Sequence, residues 1–350
     1  MNATMNPTLS LLALQFLLCA AVIMVAGVTL SRSADRLAEL HGWGRGWVGL
    51  ALLATVTSLP ELASGISAVT TVQAPDLAVG NALGACVVNL GFLAVVDLLH
   101  RQAPMYRQAG STHLLSAGFG VLMLALVAVS QALGERVPVL WHAGLNSPVL
   151  LLLYLLALRS VFEHERGQAQ TQVRGRAGTA DPAAHASDPP GRRTVGQEWM
   201  RFGMAALAVL AAGSWLPVAA DALASASGLS RSAVGTVFMA VVTTLPEMAV
   251  TLGALRLGAV DMAIGNLLGS NLFNLAILGI DDLLFTGGPL LAVASPLHAG
   301  TAAVALMMTG LVIIGLVMRP RSRVLDAASW VSAGLVAAGG LHALLLLSGA

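Results

Sequence analysis

The chain has no lysine, and only 10% of its 350 residues carry charge. A soluble domain carries roughly 25%, so a water-soluble globular class is excluded. There are two cysteines, Cys19 and Cys86, in separate apolar runs. They cannot make a disulfide framework or a thiolate metal site. The net charge of +1 leaves no basic footprint for nucleic acid. His100, His113, His142 and His298 are scattered near helix ends and form no metal-spaced pair. No nucleophile–base pair or cofactor motif is present, so neither an enzyme nor a permanently bound cofactor is expected. What is abundant is apolar. The chain is 57% hydrophobic, with a mean hydropathy of +0.81. Its apolar runs are about 20 residues long, the length of a spanning helix and twice that of a tilted barrel strand. The expected class is an all-α integral membrane protein, with the lipid bilayer as the partner that composition implies.

Apolar segments fall near 8–30, 46–70, 77–99, 111–133, 147–162, 199–226, 232–255, 260–284, 296–318 and 324–347, which predicts ten transmembrane helices. The first has no positive n-region and is long for a signal peptide, so it reads as a spanning helix. Residues 163–198 are polar and rich in Gly, Pro and Ala, too poor in large apolar side chains to fold alone. They read as a flexible linker between two five-helix halves, 1–162 and 199–350. The arginines test this count. Connections on one side, the linker included, hold 16 of the 18; the other side holds Arg136 and Arg231. The positive-inside rule then puts the linker in the cytoplasm and both termini outside.

One segment is written twice. Residues 54–61 read ATVTSLPE and 240–247 read AVVTTLPE. Each is followed by a second block, DLAVGNALGACVVNLGFLAVVDLL (76–99) and DMAIGNLLGSNLFNLAILGIDDLL (261–284). The copies lie five crossings apart, an odd offset, so the second half is expected to be inserted upside down, as an inverted-topology repeat.

Glu61 and Glu247 occupy equivalent places in apolar sequence, where a carboxylate is expensive and functional by default. Pro60 and Pro246 remove a helical N–H, which frees carbonyls in the preceding turn, around Ala54 to Thr57 in the first copy. Such carbonyls need a cavity, water or a cation to satisfy them in lipid. Thr57, Ser58, Thr243 and Thr244 add hydroxyls. The set is all oxygen with no soft ligand, as a hard cation such as Ca2+ requires. In the second block, Gly80, Gly84, Gly265 and Gly269 have the spacing of close helix contacts. Asn89 and Asn274 follow, each fit for an interhelical hydrogen bond or for a neutral cation ligand. Ser270 shares a helix face with Asn274. Asp76 and Asp261 suit N-caps, and Asp97 and Asp282 sit at helix ends as interface or capping residues.

At TSLPEL with GNALGACVVN, and TTLPEM with GNLLGSNLFN, the chain resembles the cation/calcium exchanger superfamily, nearest the prokaryotic sodium/calcium exchangers. The motifs cover a little under a third of the chain. The resemblance implies mid-membrane cation sites. Glu61 and Glu247 would be the shared Ca2+ carboxylates, and the carbonyls of Thr57 and Thr243 would complete the Ca2+ site. The Thr57 and Thr243 side chains, the Ala54 and Ala240 carbonyls and Ser270 would serve Na+, and Asn89 and Asn274 would line the centre. It also implies gating by the first and sixth helices sliding past the core. Three departures bear on the counter-ion. Val56 and Val242 stand where the family has Gly, Ala85 where it has a serine ligand, and Asn274 where many sodium/calcium exchangers have Asp. Two carboxylates balance one Ca2+, two Na+ or two H+. The reading is an antiporter of a bacterial-type inner membrane that exports Ca2+ against Na+, with H+ as the alternative counter-ion. From another class, a channel-like relative would pass cations without exchange.

Overall fold

The computed structural model describes residues 7–41, 55–100, 105–175, 194–320 and 328–348. The long elements are α1 (Pro7–Leu40), α2 (Leu59–Thr70), α3 (Pro75–Leu99), α4 (Thr112–Leu133), α5 (Asn146–Gly175) and α6 (Val195–Ser227). They continue with α7 (Arg231–Thr243), α8 (Leu245–Arg256), α9 (Val260–Leu284), α10 (Leu297–Met318) and α11 (Trp330–Ser348). Among the described residues, eight helices are long and apolar enough to span a membrane, and α7 with α8 makes a ninth, bent by 43°. Of the remaining predicted crossing, the second at 46–70, the structure describes helical residues 55–57 and α2; its beginning lies outside the described residues. At 34 and 33 residues, α1 and α6 are about 50 Å long, well over the roughly 30 Å of a hydrocarbon core.

The centre is made by α3 and α9, the two most buried spans. Both are apolar nearly all round, the pattern of an interior helix. Glycines let the bundle close. A Cβ on Gly84 would collide with the Thr236 carbonyl of α7 and press on Ala240. A Cβ on Gly80 would come within 3.0 Å of the Thr236 amide. The part of α7 that α3 meets, Val234–Met239, is wound as a π-helix.

A hydrogen-bond set occurs twice, with every partner offset by 185 positions, forward from Asp97 and Met105 and backward from Ser329 and Ser332. Asp97 accepts from Met105 N (2.9 Å), Ser329 N (2.7 Å) and Ser332 Oγ (2.7 Å). Asp282 accepts from Leu290 N (2.5 Å), Gly144 N (2.8 Å) and Ser147 Oγ. Each aspartate thus ends its own helix and anchors the start of a helix from the other half, α11 or α5.

Asp76 and Asp261 are not the caps of their own helices: Ala74 and Ala259 hold those positions. Each aspartate lies two residues further in, within the first turn, and reaches across to the other half. Asp76 accepts from Ser295 N (2.6 Å) and meets His298 Nε2 at 3.2 Å. Asp261 accepts from Gly110 N (2.7 Å) and meets His113 Nε2 at 2.9 Å. Two of the apparently scattered histidines are therefore a matched pair.

Helix runs into both ends of the segment expected as linker, 163–198. Helix α5 runs on to Gly175, supported by an Arg159–Glu163 pair at 2.8 Å in the favourable i,i+4 spacing. Helix α6 starts at Val195 behind a Thr194–Gln197 capping box. Residues 176–193 lie outside the described residues. A two-residue hairpin, Val139–Leu140 against Ala143–Gly144, breaks the all-helical pattern.

Candidate functional site

Both TSLPE-type segments are breaks between half-helices. Ser58 (φ −90°, ψ 12°) and Thr244 (φ −81°, ψ 0°) leave helical geometry for the bridge region. The prolines then fall in the first turn of α2 and α8, where a missing N–H costs nothing. Glu61 and Glu247 occupy that same first turn, where the positive end of the helix dipole favours a carboxylate.

The breaks are braced crosswise. A Cβ on Gly27 of α1 would strike the Pro246 ring. One on Gly213 of α6, 186 positions later, would come within 3.2 Å of the Pro60 carbonyl. Ser64 Oγ donates to the Gly213 carbonyl (3.0 Å), and Ser67 Oγ to that of Ser214 (2.5 Å).

Glu61 is 1% exposed and Glu247 is fully buried. The two are close enough to repel. Ser58 Oγ donates to Glu247 Oε1 at 2.8 Å, with Thr57 beside the same carboxylate. Thr243 lies beside Glu61 but donates to Asn81 Oδ1 (3.1 Å). Thr57, Ser58 and Thr243 thus face the other half's residues, whereas Thr244 turns back on its own segment. Asn89 Nδ2 donates to Asn271 Oδ1 (3.1 Å), whose own Nδ2 donates to the Cys86 carbonyl (3.3 Å).

What remains is a set of buried oxygens with no hydrogen-bond partner among the described residues. It comprises both oxygens of Glu61, Oε2 of Glu247, Oδ1 of Asn89, Oδ1 of Asn274 and Oγ of Ser270. Buried polar atoms are almost always paired, and an unpaired buried charge is costly. Among the described residues no three His, Cys, Asp or Glu cluster as a metal centre. A cation here would rely on two carboxylates and neutral oxygens, a donor set that suits a hard ion.

Other expected ligands are placed less openly. The Ala240 carbonyl already accepts from Thr244 N (3.1 Å), Thr244 Oγ1 (2.8 Å) and Thr243 Oγ1 (3.3 Å). Ala54 lies outside the described residues.

The sodium/calcium exchanger protein family model matches residues 11–162 and 198–339. The chain belongs to this family. The exchanger is 28% identical over 291 residues to the inner membrane protein YrbG of Escherichia coli, a match covering 77% of this chain and 81% of that protein. It is 27% identical over 304 residues to the sodium/calcium exchanger MaX1 of Methanosarcina acetivorans, covering 81% and 84%. A structure of the sodium-calcium exchanger NCX_Mj soaked with Na+ and Sr2+ shares the fold, with a TM-score of 0.61 at 21% identity over 95% of this chain and 97% of that one.

Sequence reading of the exchanger missed three buried amides. Asn81 receives the Thr243 hydroxyl. Asn266, its counterpart 185 positions on, donates to the Glu247 carbonyl (3.3 Å) and Thr251 Oγ1 (3.1 Å). Asn271 clasps α3. The signal was available for the first two: GNALG and GNLLG repeat the asparagine along with the glycines.

Proposed function

We propose that the chain is a secondary antiporter, a transporter and not an enzyme, that exports Ca2+ in exchange for Na+ by alternating access across an inner membrane. Its cargo ions would be its substrates. The two halves, 1–162 and 199–350, would be inverted five-helix repeats joined by a cytoplasmic linker, with both termini outside. The twin hydrogen-bond sets at Asp97 and Asp282 and at Asp76 and Asp261 support a repeat in which each half completes the other.

The observation that carries the reading is the set of unpartnered buried oxygens drawn from both halves. Ca2+ takes 6–8 oxygen ligands, and two carboxylates neutralise its charge. Glu61 and Glu247 hold Ca2+ or the counter-ions in turn, never both together. Asn89, Asn274 and Ser270 offer their free oxygens. Thr57, Ser58, Thr243 and Thr244 supply further hydroxyl and carbonyl oxygens, and the Ala240 carbonyl joins only after the two threonine hydroxyls turn away from it. The long helices α1 and α6, which meet Pro246 and Pro60 through Gly27 and Gly213, would gate the site.

Proton coupling is the second reading. Ala85, fully buried, contributes no hydroxyl where Ser270 stands in the other half, so one candidate Na+ position is incomplete. Ca2+ uptake into proteoliposomes, with Na+ and pH gradients imposed one at a time, tests both readings. Uptake driven by an outward Na+ gradient alone supports the first, and uptake driven only by outward H+ supports the second. Ca2+ movement with neither gradient would overturn exchange and favour a channel.

A further inference from the structure

One buried charge belongs to neither the duplicated scaffold nor the Glu61–Glu247 site. Asp281 is fully buried, and neither of its carboxylate oxygens has a hydrogen-bond partner among the described residues. It fits only because Gly65 faces it: a Cβ there would overlap the carboxylate. The position 185 residues earlier is Val96, also fully buried. Asp282 repeats Asp97 with every donor in place; Asp281 repeats nothing.

Its location is informative. Gly65 is one turn beyond Glu61 on α2, toward Thr70. Asp281 is two turns beyond Asn274 on α9, toward Leu284 and on the same helical face. Both helices therefore put Asp281 between the central oxygens and one end of the bundle. The groups around it are few. On its own helix Asp282 repels it, and Asp282 is held by Gly144 N, Ser147 Oγ and Leu290 N. From the hairpin, His142 bonds the Leu283 carbonyl (2.9 Å) and interacts with Asp282. From α2 the nearest ionisable group is Glu61, one turn away. The α2 hydroxyls Ser64 and Ser67 are turned to α6, and α5 presents Asn146 and Ser147 beside Asp282.

A metal ion needs several oxygens, and among the described residues no group of three His, Cys, Asp or Glu forms around the one carboxylate that Asp281 brings. A proton needs only that one group. We infer that Asp281 is a proton-binding site on the route between the central cation site and the face reached by Thr70 and Leu284. It is a neutral acid when the central site holds no cation. It releases its proton to water at that face as a cation's positive charge arrives, and takes it back as the cation leaves. The dependence on cargo rests on the exchanger reading; the protonation itself does not.

Infrared difference spectroscopy of the full-length protein in lipid tests this, with Ca2+ as the probe. Wild type is expected to show a protonated carboxylic-acid carbonyl band that is lost both on raising pH and on adding Ca2+. Asp281→Asn should lack that component, a loss of one acid band per chain. Asp281→Val, which installs the side chain the first half carries at Val96, guards against a variant that misfolds and should lack the band too. A band unchanged in both variants would overturn the inference. So would a band that vanishes in the variants but in wild type responds to neither pH nor Ca2+. Calorimetry run in parallel separates the two readings. No Ca2+ binding by wild type, together with an Asp281 band that titrates, would count against exchange and uphold the proton site.

Discussion

Replacing Glu61 with glutamine should make the cation-free protein at least as stable as wild type while nearly erasing its response to Ca2+. The carboxylate is 1% exposed, and both its oxygens lack a donor. Without a cation, an ionised Glu61 is uncompensated and close to Glu247; glutamine keeps the shape and cannot carry the charge. With Ca2+ present the balance reverses. Removing one partner of a buried ion pair costs about 3–5 kcal/mol, which raises Kd roughly 100- to 4,000-fold. At a Ca2+ concentration of about 100 times the wild-type Kd, wild type gains about 2.7 kcal/mol. The same concentration is then no more than about equal to the variant's Kd, and the gain falls to about 0.4 kcal/mol or less. Thermal unfolding in detergent, with and without Ca2+, measures both halves of the statement. Glu247→Gln should lose the Ca2+ response equally but gain less when cation-free, because Ser58 already donates to it. An undiminished Ca2+ shift in Glu61→Gln, or a large loss of cation-free stability, would refute the reasoning.

Gly84→Ala should destabilise the fold by about 1–3 kcal/mol, the usual cost of overpacking, because the new methyl meets the rigid Thr236 carbonyl; an unchanged unfolding midpoint would show that α3 and α7 can separate freely. Asp97→Asn and Asp282→Asn should each cost about 1.5–3 kcal/mol, the worth of hydrogen bonds to a charged group, and by about the same amount as each other, since the three donors are duplicated; thermal unfolding of the pair checks this. Ala85→Ser should steepen Na+ activation of Ca2+ flux, since it restores in the first half the hydroxyl that Ser270 provides in the second; an unaltered Na+ dependence removes the argument for an incomplete Na+ position.

The spans and the two breaks were legible because their causes are local. A proline two positions after Ser58 or Thr244 dictates where a half-helix starts, whatever surrounds it. Glu61 and Glu247 stood out because nothing apolar tolerates them. Partners were not legible. Along α3 and α9 nearly every face is buried, so no polar stripe tells which side Asn81, Asn89 or Asn266 presents. The direction of Asp76 is decided by a histidine 222 residues away. The helix end at Gly175 was misplaced for another reason. Composition suggested a linker, but Glu, Arg and Gln at 163–172 are good helix formers, and the spanning turn before them supplies the nucleus that an isolated helix lacks.

Hydrogen-bond satisfaction separates two kinds of polar residue that sequence cannot tell apart. Asp97 and Glu61 are both acids in apolar surroundings, both duplicated, and both almost fully buried. Asp97 has three donors, two on one oxygen and one on the other; Glu61 has none. In an interior where an unpaired group costs as much as a lost fold contact, the first pattern is what a scaffold needs and the second is what a scaffold would eliminate. The same division sorts Asp282 from its chain neighbour Asp281, one saturated and one bare. The crosswise bracing follows from this difference. A site that leaves its oxygens free cannot hold itself together, so its rigidity is supplied by glycine contacts and aspartate anchors from the opposite half, all of them outside the oxygen set.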